Sequence, residues 1–207
     1  MKHEWKKQDK KLYLPKDKPE IVMVPPMKFF TLDGKGNPNN EEFAEAVGVL
    51  YSLSYAVKMM PKKGITPEGY FEYTVFPLEG VWDLAPEARG LDILDKDSLL
   101  YTIMIRQPDF VTEEIAQTAL ESTMNKTKHP MLERVSFESI EEGMCVQMLH
   151  LGPYDSEPAS FSQMEEFCKT NGLKRTSKVH REIYISDVRK TSAERLKTVL
   201  RFKAEKL

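Results

Sequence analysis

Residues 180 to 187 read HREIYISD. The β-branched and aromatic residues mark a strand, yet Glu182 stands within an otherwise apolar alternation. Strand side chains alternate between faces, so Ile183 and Ile185 share one face while Glu182, Tyr184 and Ser186 share the other. That second face either meets water, as one side of an antiparallel sheet commonly does, or lines a cavity that calls for an acid and a phenol. A buried carboxylate is costly unless it is paired or hydrogen-bonded, so burial would point to cation recognition or general-base chemistry.

Laying the two halves of the chain side by side brings out a repeat. MKFFTLDGKG (27–36), a helix, FEYTVF (71–76) and LLYTIMIRQ (99–107) correspond in order to CVQMLHLGPY (145–154), a helix, REIYIS (181–186) and LKTVLRFKA (196–204). Each half is strand, Gly turn, helix, then two strands. Glu72 and Glu182 fall at matching places, which argues for a shared environment and against an accident of one wet strand. Strands that are not separated by regular crossover helices give an antiparallel α+β fold.

The remaining elements follow from local signals. Residues 1–20, rich in Lys, Asp and Pro, are expected to form a loosely held arm. Pro25 and Pro26 break the run IVMVPPMKFF, which leaves a strand from about Met27 to Leu32. Asn39 or Asn40 caps a helix whose stripe is Phe43, Val47, Leu50, Tyr51, Ser54, Tyr55 and Met59, and which stops before Pro61. GYFEYTVF gives a strand ending near Pro77, followed by an irregular segment rich in Asp, Pro and Gly. After the strand SLLYTIMIRQ, Thr112 caps a connecting helix over about 112–127. VSFESI and GMCVQMLHLGPY are strands joined by a Glu-Glu-Gly turn. A helix opened by Ser156 or Ser160 carries Phe161, Met164, Phe167 and Cys168 on one face and stops at Asn171-Gly172. The modules are then about 21–110 and about 131–207, within one domain of 21–207.

Composition removes several function classes. With 30 Lys+Arg against 32 Asp+Glu, a formal charge of −2 supplies no basic field for nucleic acid or an anionic membrane. No run approaches the roughly 20 apolar residues of a membrane span, and the charged N-terminus has no signal-peptide core, so a soluble cytoplasmic protein is expected. Cys145 and Cys168 lack metal-ligand spacing and read as buried, reduced thiols. No nucleophile elbow, P-loop or HExxH pattern is present, and neither metal nor cofactor is expected. GKGNPN (34–39) is a turn.

Several residues remain as candidates for a site. Trp82, following Gly80 in FPLEGVW, is either a core Trp sealing a loop or a ring over a cavity mouth. The stripes containing Tyr51 and Tyr55, and Phe161 and Phe167, are mainly core, but such residues also line pockets for flat hydrophobic ligands. HLGPYDSEP gathers His150, Tyr154 and Glu157 around a turn. His150 reads first as a hydrogen-bonded structural residue and is kept as a ligand-contact candidate beside Glu72.

Taken in order, LYSLSYAVKMMPK, FPLEGVW, CVQMLHLGPYDSEP, HREIYISD and LKTVLRF resemble the GyrI-like small-molecule-binding proteins, over nearly the whole chain from about residue 20. The resemblance implies two β-α-β-β modules related by a pseudo-two-fold, forming an antiparallel sheet with helices packed on it and a central ligand pocket. The same fold forms the drug-sensing half of MerR-type multidrug regulators, where a pocket Glu meets cationic hydrophobic drugs. Some stand-alone members are cyclopropanoid cyclopropyl hydrolases, which open the strained ring of DNA alkylators. Carried onto this chain, the resemblance places the pocket acid on Glu182 with Tyr184 beside it, and the aromatic wall on Trp82. It departs at Arg181, where related chains often carry a second His, and at Ser98-Leu99-Leu100-Tyr101, where others start a strand with Trp; both departures bear on substrate shape. Three roles stay open: hydrolysis of a planar hydrophobic small molecule, sequestration of planar or cationic drugs, or interaction with gyrase. A homodimer is compatible with each.

Overall fold

The computed structural model describes residues 2–89 and 95–207. In chain order the elements are α1 (Trp5–Gln8), α2 (Lys10–Tyr13), β1 (Glu20–Val24), β2 (Met27–Lys35), α3 (Glu41–Lys58), β3 (Leu78–Leu84), β4 (Leu99–Gln107), α4 (Glu113–Thr127), β5 (Ser136–Ile140), β6 (Gly143–Leu151), α5 (Glu157–Thr170), β7 (Leu173–Arg175), β8 (His180–Tyr184) and β9 (Lys197–Lys206). The strand pairings within the sheet are antiparallel and helices pack against the strands, which is the expected α+β class. The order β-α-β-β appears as β2-α3-β3-β4 and recurs, with the short β7 inserted after α5, as β6-α5-β7-β8-β9; α4 and β5 lie between the two in the chain. Part of the irregular segment expected after β3 lies outside the described residues.

The chain divides into two compact units. The first comprises residues 1–3, 27–78 and 83–140. Its strands β4, β2 and β5 bring Phe30 opposite Ile105 on one side and Phe137 on the other. α3 buries Ala46, Val49, Leu50, Leu53, Ser54 and Val57, a stripe turned from the expected one. Tyr51 is half-buried and Tyr55 exposed; α3 packs on α4, whose own buried positions are Ala116, Ala119 and Thr123, and on β2 and β4. Thr112 caps α4 as expected, its hydroxyl accepting from the Ile115 N–H at 3.3 Å.

One strand is displaced from its expected place. FEYTVF does not form one; Tyr73 makes an isolated bridge to His3, and the ladder begins at Leu78, past Pro77, which has no N–H to give. Phe71 and Tyr73 instead pack on Phe110, with ring centroids 5.3 and 6.0 Å away. Glu72 is therefore exposed on irregular backbone, and the strand that matches β8 in order is LEGVWDL.

The second unit comprises residues 4–26, 79–82 and 141–207. Its strands run β1-β6-β9-β8-β3, with β7 on β9. Register assigns the faces. Val146 and Met148 lie opposite Phe202 and Leu200, and Leu200 lies opposite Glu182, which faces Gly80. This face receives α5, where Met164 and Cys168 join Val146, Met148, Leu200 and Phe202 in an apolar core.

The opposite face carries buried charge. Arg181 donates to Glu79 at 2.6 Å and pairs with Glu142 at 3.0 Å; Arg201 donates to Glu142 at 3.1 Å and to Gln147 Oε1 at 2.9 Å. Residues 4–13, expected as a loose arm, cover this network. The Tyr13 hydroxyl donates to Glu79 at 2.9 Å, the Leu12 carbonyl accepts from Arg201 at 2.6 Å, and the Lys11 carbonyl accepts from Gln147 at 2.7 Å. Trp5 and Tyr13 are buried, with ring centroids 5.6 Å apart. Their burial and the satisfied guanidinium offset the ordering entropy that the Lys-rich composition suggested would win. β1, between this segment and the Pro pair, is a further strand that the composition hid.

Candidate active site

The α5-facing side of β8 and β3 gathers the side chains that sequence singled out. Gly80 lies directly opposite Glu182. A Cβ at Gly80 would sit 2.7 Å from Trp82 Nε1 and 3.1 Å from the Tyr184 hydroxyl oxygen, so only glycine lets the indole fold back over the strand. From there the Trp82 N–H donates to the Tyr184 hydroxyl at 2.8 Å, and that hydroxyl donates to Glu182 Oε2 at 2.9 Å. His180 Nε2 meets the other carboxylate oxygen at 3.2 Å. Its Nδ1 faces the Lys178 carbonyl at 3.3 Å, so both ring nitrogens look at acceptors. Glu182 is 9% exposed and Trp82 5%.

A second carboxyl stands against the first. Glu157 opens α5, preceded by Ser156 and followed by Pro158 in the first turn, and its side chain lies beside Glu182. Burial, and after it the Glu182 charge, push the Glu157 carboxyl up to about 9. Tyr184 and Tyr154 are also raised, burial again leading and Glu182 adding to it, so both phenols keep their protons and act as donors. The Tyr154 ring stands edge-on to Tyr184 at 6.2 Å.

The structure thus brings together Glu182, Tyr184 and Trp82, and adds Glu157, His180 and Tyr154. Phe161 reaches the group through a T-shaped contact with His180 at 4.8 Å, and Arg175 lies over its ring at 5.0 Å. Phe167 packs against the apolar core under α5. His150 is occupied within the protein, Nδ1 with Ser160 at 2.9 Å and Nε2 with the Pro153 carbonyl at 3.1 Å, where it fastens the end of β6 to the start of α5. That geometry gives it a structural role. Glu72, Tyr51 and Tyr55 belong to the first unit; Lys58 lies 5.6 Å over the Tyr55 ring.

The Arg181 departure falls on the face away from Glu182, inside the buried ion network. Glu157 and Tyr154 had one signal in sequence: the HLGPYDSEP turn, which sets both just after β6, the second neighbour of β8 through β9.

A cavity of about 320 Å³ in the first unit is lined by Met60, Ile65, Pro67, Glu68, Phe110 and Ile115 among others, none of them an expected site residue. Among the described residues no group of His, Cys, Asp and Glu is disposed to hold a metal ion, and no helix is long and apolar enough to cross a membrane. Both cysteines are free and buried, and burial pushes the Cys145 thiol up to about 12, away from thiolate chemistry.

Comparison with known proteins decides the family. The GyrI-like small molecule binding domain matches residues 17–203. This chain belongs to that family. Two solved Listeria innocua proteins named as hydrolases resemble the GyrI-like chain closely: one is 39% identical with a TM-score of 0.89, covering 98% of this chain and all of its own, and the other is 41% identical with a TM-score of 0.90, covering 99% and all of its own. The EcmrR C-terminal domain, 14% identical with a TM-score of 0.56 over 92% of this chain and 98% of its own, shares the fold. No curated protein matches.

Proposed function

We propose that this GyrI-like protein hydrolyses the cyclopropane ring of cyclopropanoid DNA-alkylating compounds, and so protects against them, with Glu182 activating the attacking water. The observation that carries this reading is the chain from Trp82 through Tyr184 to Glu182, which holds a buried carboxylate in one orientation beside aromatic surface. The hydrolase names of the two Listeria proteins support the same reaction class.

A spirocyclopropane conjugated to a dienone is already electrophilic, since opening releases strain and creates an aromatic phenolate. The protein has to supply a placed water and a flat apolar surface. Glu182 is a suitable base because its lone pairs are oriented by Tyr184 and His180. General-base assistance of this kind is worth about 10² to 10⁴ in rate. The planar ligand lies against Trp82, and the raised Tyr184 phenol stays a donor throughout.

The test is incubation of a spirocyclopropane alkylator with substoichiometric protein and detection of the water adduct by mass spectrometry. Glu182→Gln should still bind the ligand while losing turnover by about 10² or more. Full activity in that variant would remove Glu182 from the base role. Bound but unchanged ligand in the wild type would favour sequestration, which the family's small-molecule-binding character also accommodates.

A further inference from the structure

Glu157 has no place in the mechanism above, and its surroundings are unusual. It is 7% exposed, it touches another buried carboxyl, and its Oε1 has no hydrogen-bond partner. The titratable groups around it are Glu182, Asp155 and Tyr154, with Tyr184 and His180 reaching it only through Glu182. Among the described residues, the charges acting on it are those of Glu182 and Asp155, with no Lys or Arg. Two buried carboxyls in contact cannot both ionise without a cation, so one of them retains a proton. Tyr184 donates to Glu182 and His180 faces it, whereas Glu157 Oε1 has no partner, so the shared proton is assigned to Glu157.

We propose that Glu157 and Glu182 form a proton-sharing dyad in which Glu157 is a catalytic acid and Glu182 the base. This rests on the hydrolase reading. Water oxygen bonds to the cyclopropane carbon as the ring C–C bond breaks, and the bond electrons pass into the ring system to become the phenolate oxygen. Glu182 takes the proton from water, and Glu157 gives its own to the phenolate. The proton on Glu182 then passes back to the adjoining Glu157. Substrate and water have become a phenol and an alcohol, and the dyad is restored with no other reactant. The unpartnered Oε1 is the atom left free to meet the substrate oxygen. An acid beside the departing charge acts as oxyanion donors do, by stabilising what develops in the transition state.

Infrared spectroscopy of the ligand-free protein tests the dyad independently of turnover. Wild type should show a protonated carboxyl band at neutral pH that disappears as pH rises through about 9. Glu157→Gln should lack that band, and in Glu182→Gln the remaining carboxyl should titrate at least about one pH unit lower, since its charged neighbour is gone. Absence of the band in wild type, its persistence in Glu157→Gln, or an unmoved titration in Glu182→Gln would each overturn the proposal. With the alkylator, Glu157→Gln should lose about 10² or more in kcat with KM little changed, and should lose the alkaline limb of the wild-type pH profile. If the band behaves as expected and wild type turns over no cyclopropane, the hydrolase reading and the acid role fail while the shared proton stands; if wild type turns over and Glu157→Gln matches it across pH, the acid role alone fails.

Discussion

Replacing Arg181 by Met should destabilise the second unit by about 3–5 kcal/mol, the range for removing one partner of a buried ion pair. Arg181 is 2% exposed and lies between Glu79, 0% exposed, and Glu142. Met fills much of the same volume, so the loss is chiefly electrostatic. Glu79 keeps the Tyr13 hydroxyl and Glu142 keeps Arg201, which holds the cost within that range and below the sum of two broken pairs. Both tryptophans, Trp5 and Trp82, lie in this unit, so urea denaturation followed by tryptophan fluorescence reports on it directly. At about 2–4 °C per kcal/mol for a chain of this size, the thermal midpoint should fall by roughly 6–20 °C. The pH dependence gives an independent sign. Burial alone would raise the Glu142 carboxyl, but Arg181 and then Arg201 outweigh it and hold the group below the ordinary carboxylate value. A depressed carboxyl contributes stability that is present above its unfolded pKa and lost as pH falls through its folded one. With one cation removed the folded value rises, so Arg181→Met should lose this contribution at a higher pH than wild type. A cost below about 1 kcal/mol, the size of an exposed pair, together with an unchanged acid limb would refute the assignment of this network as the tie between β8, β3 and β6.

Two smaller perturbations probe either face of the same strands. Gly80→Ala places a methyl against the Trp82 ring nitrogen and should displace the indole; a red-shifted Trp82 emission, measured in a Trp5→Phe background, with turnover reduced about tenfold or more would follow, and an unshifted spectrum would contradict the fold-back geometry. Tyr13→Phe removes a hydrogen bond to a buried carboxylate and should cost about 1.5–3 kcal/mol in the urea assay, whereas a truly loose N-terminal arm would lose nothing.

Much of the architecture was legible because it is locally encoded. LLYTIMIRQ and LKTVLRFKA carry enough β-branched residues, and Thr112 and Asn171-Gly172 enough boundary chemistry, for the elements to appear at their expected places. FEYTVF misled because its alternation is that of a strand while its burial is made by packing on Phe110; the ladder went to LEGVWDL, whose Gly80 and preceding Pro77 depress its β signal. Trp5 and Tyr13 were hidden among lysines, since what orders them is Arg201 and Glu79, far along the chain. From local pattern Trp82 and Glu182 stand as separate oddities, joined in the sequence only by the family resemblance; the register that places Gly80 opposite Glu182 is specified by no local pattern.

The two faces of β8 differ in a way that favours one of them for the proposed chemistry. On one face Glu79 and Glu142 are matched by Arg181 and Arg201, so every charge is answered and the protons are settled. On the other, Glu182 and Glu157 meet tyrosine, an indole N–H and one imidazole, which orient a carboxylate without neutralising a second one. The unmatched pair must carry a proton, and a proton that burial keeps on a carboxyl at neutral pH is one available for transfer. The alternation in HREIY assigns Arg181 to the first face and Glu182 to the second, so a residue that fixes the strand and the residue proposed as the base are one position apart. A one-residue slip of β8 would exchange them, setting Arg181 on the side of Glu157 and placing Glu182 among Glu79 and Glu142. The buried ion network penalises that slip, since Glu79, Glu142 and the incoming Glu182 would be left with Arg201 as their one cation, and so it favours the register on which the site depends.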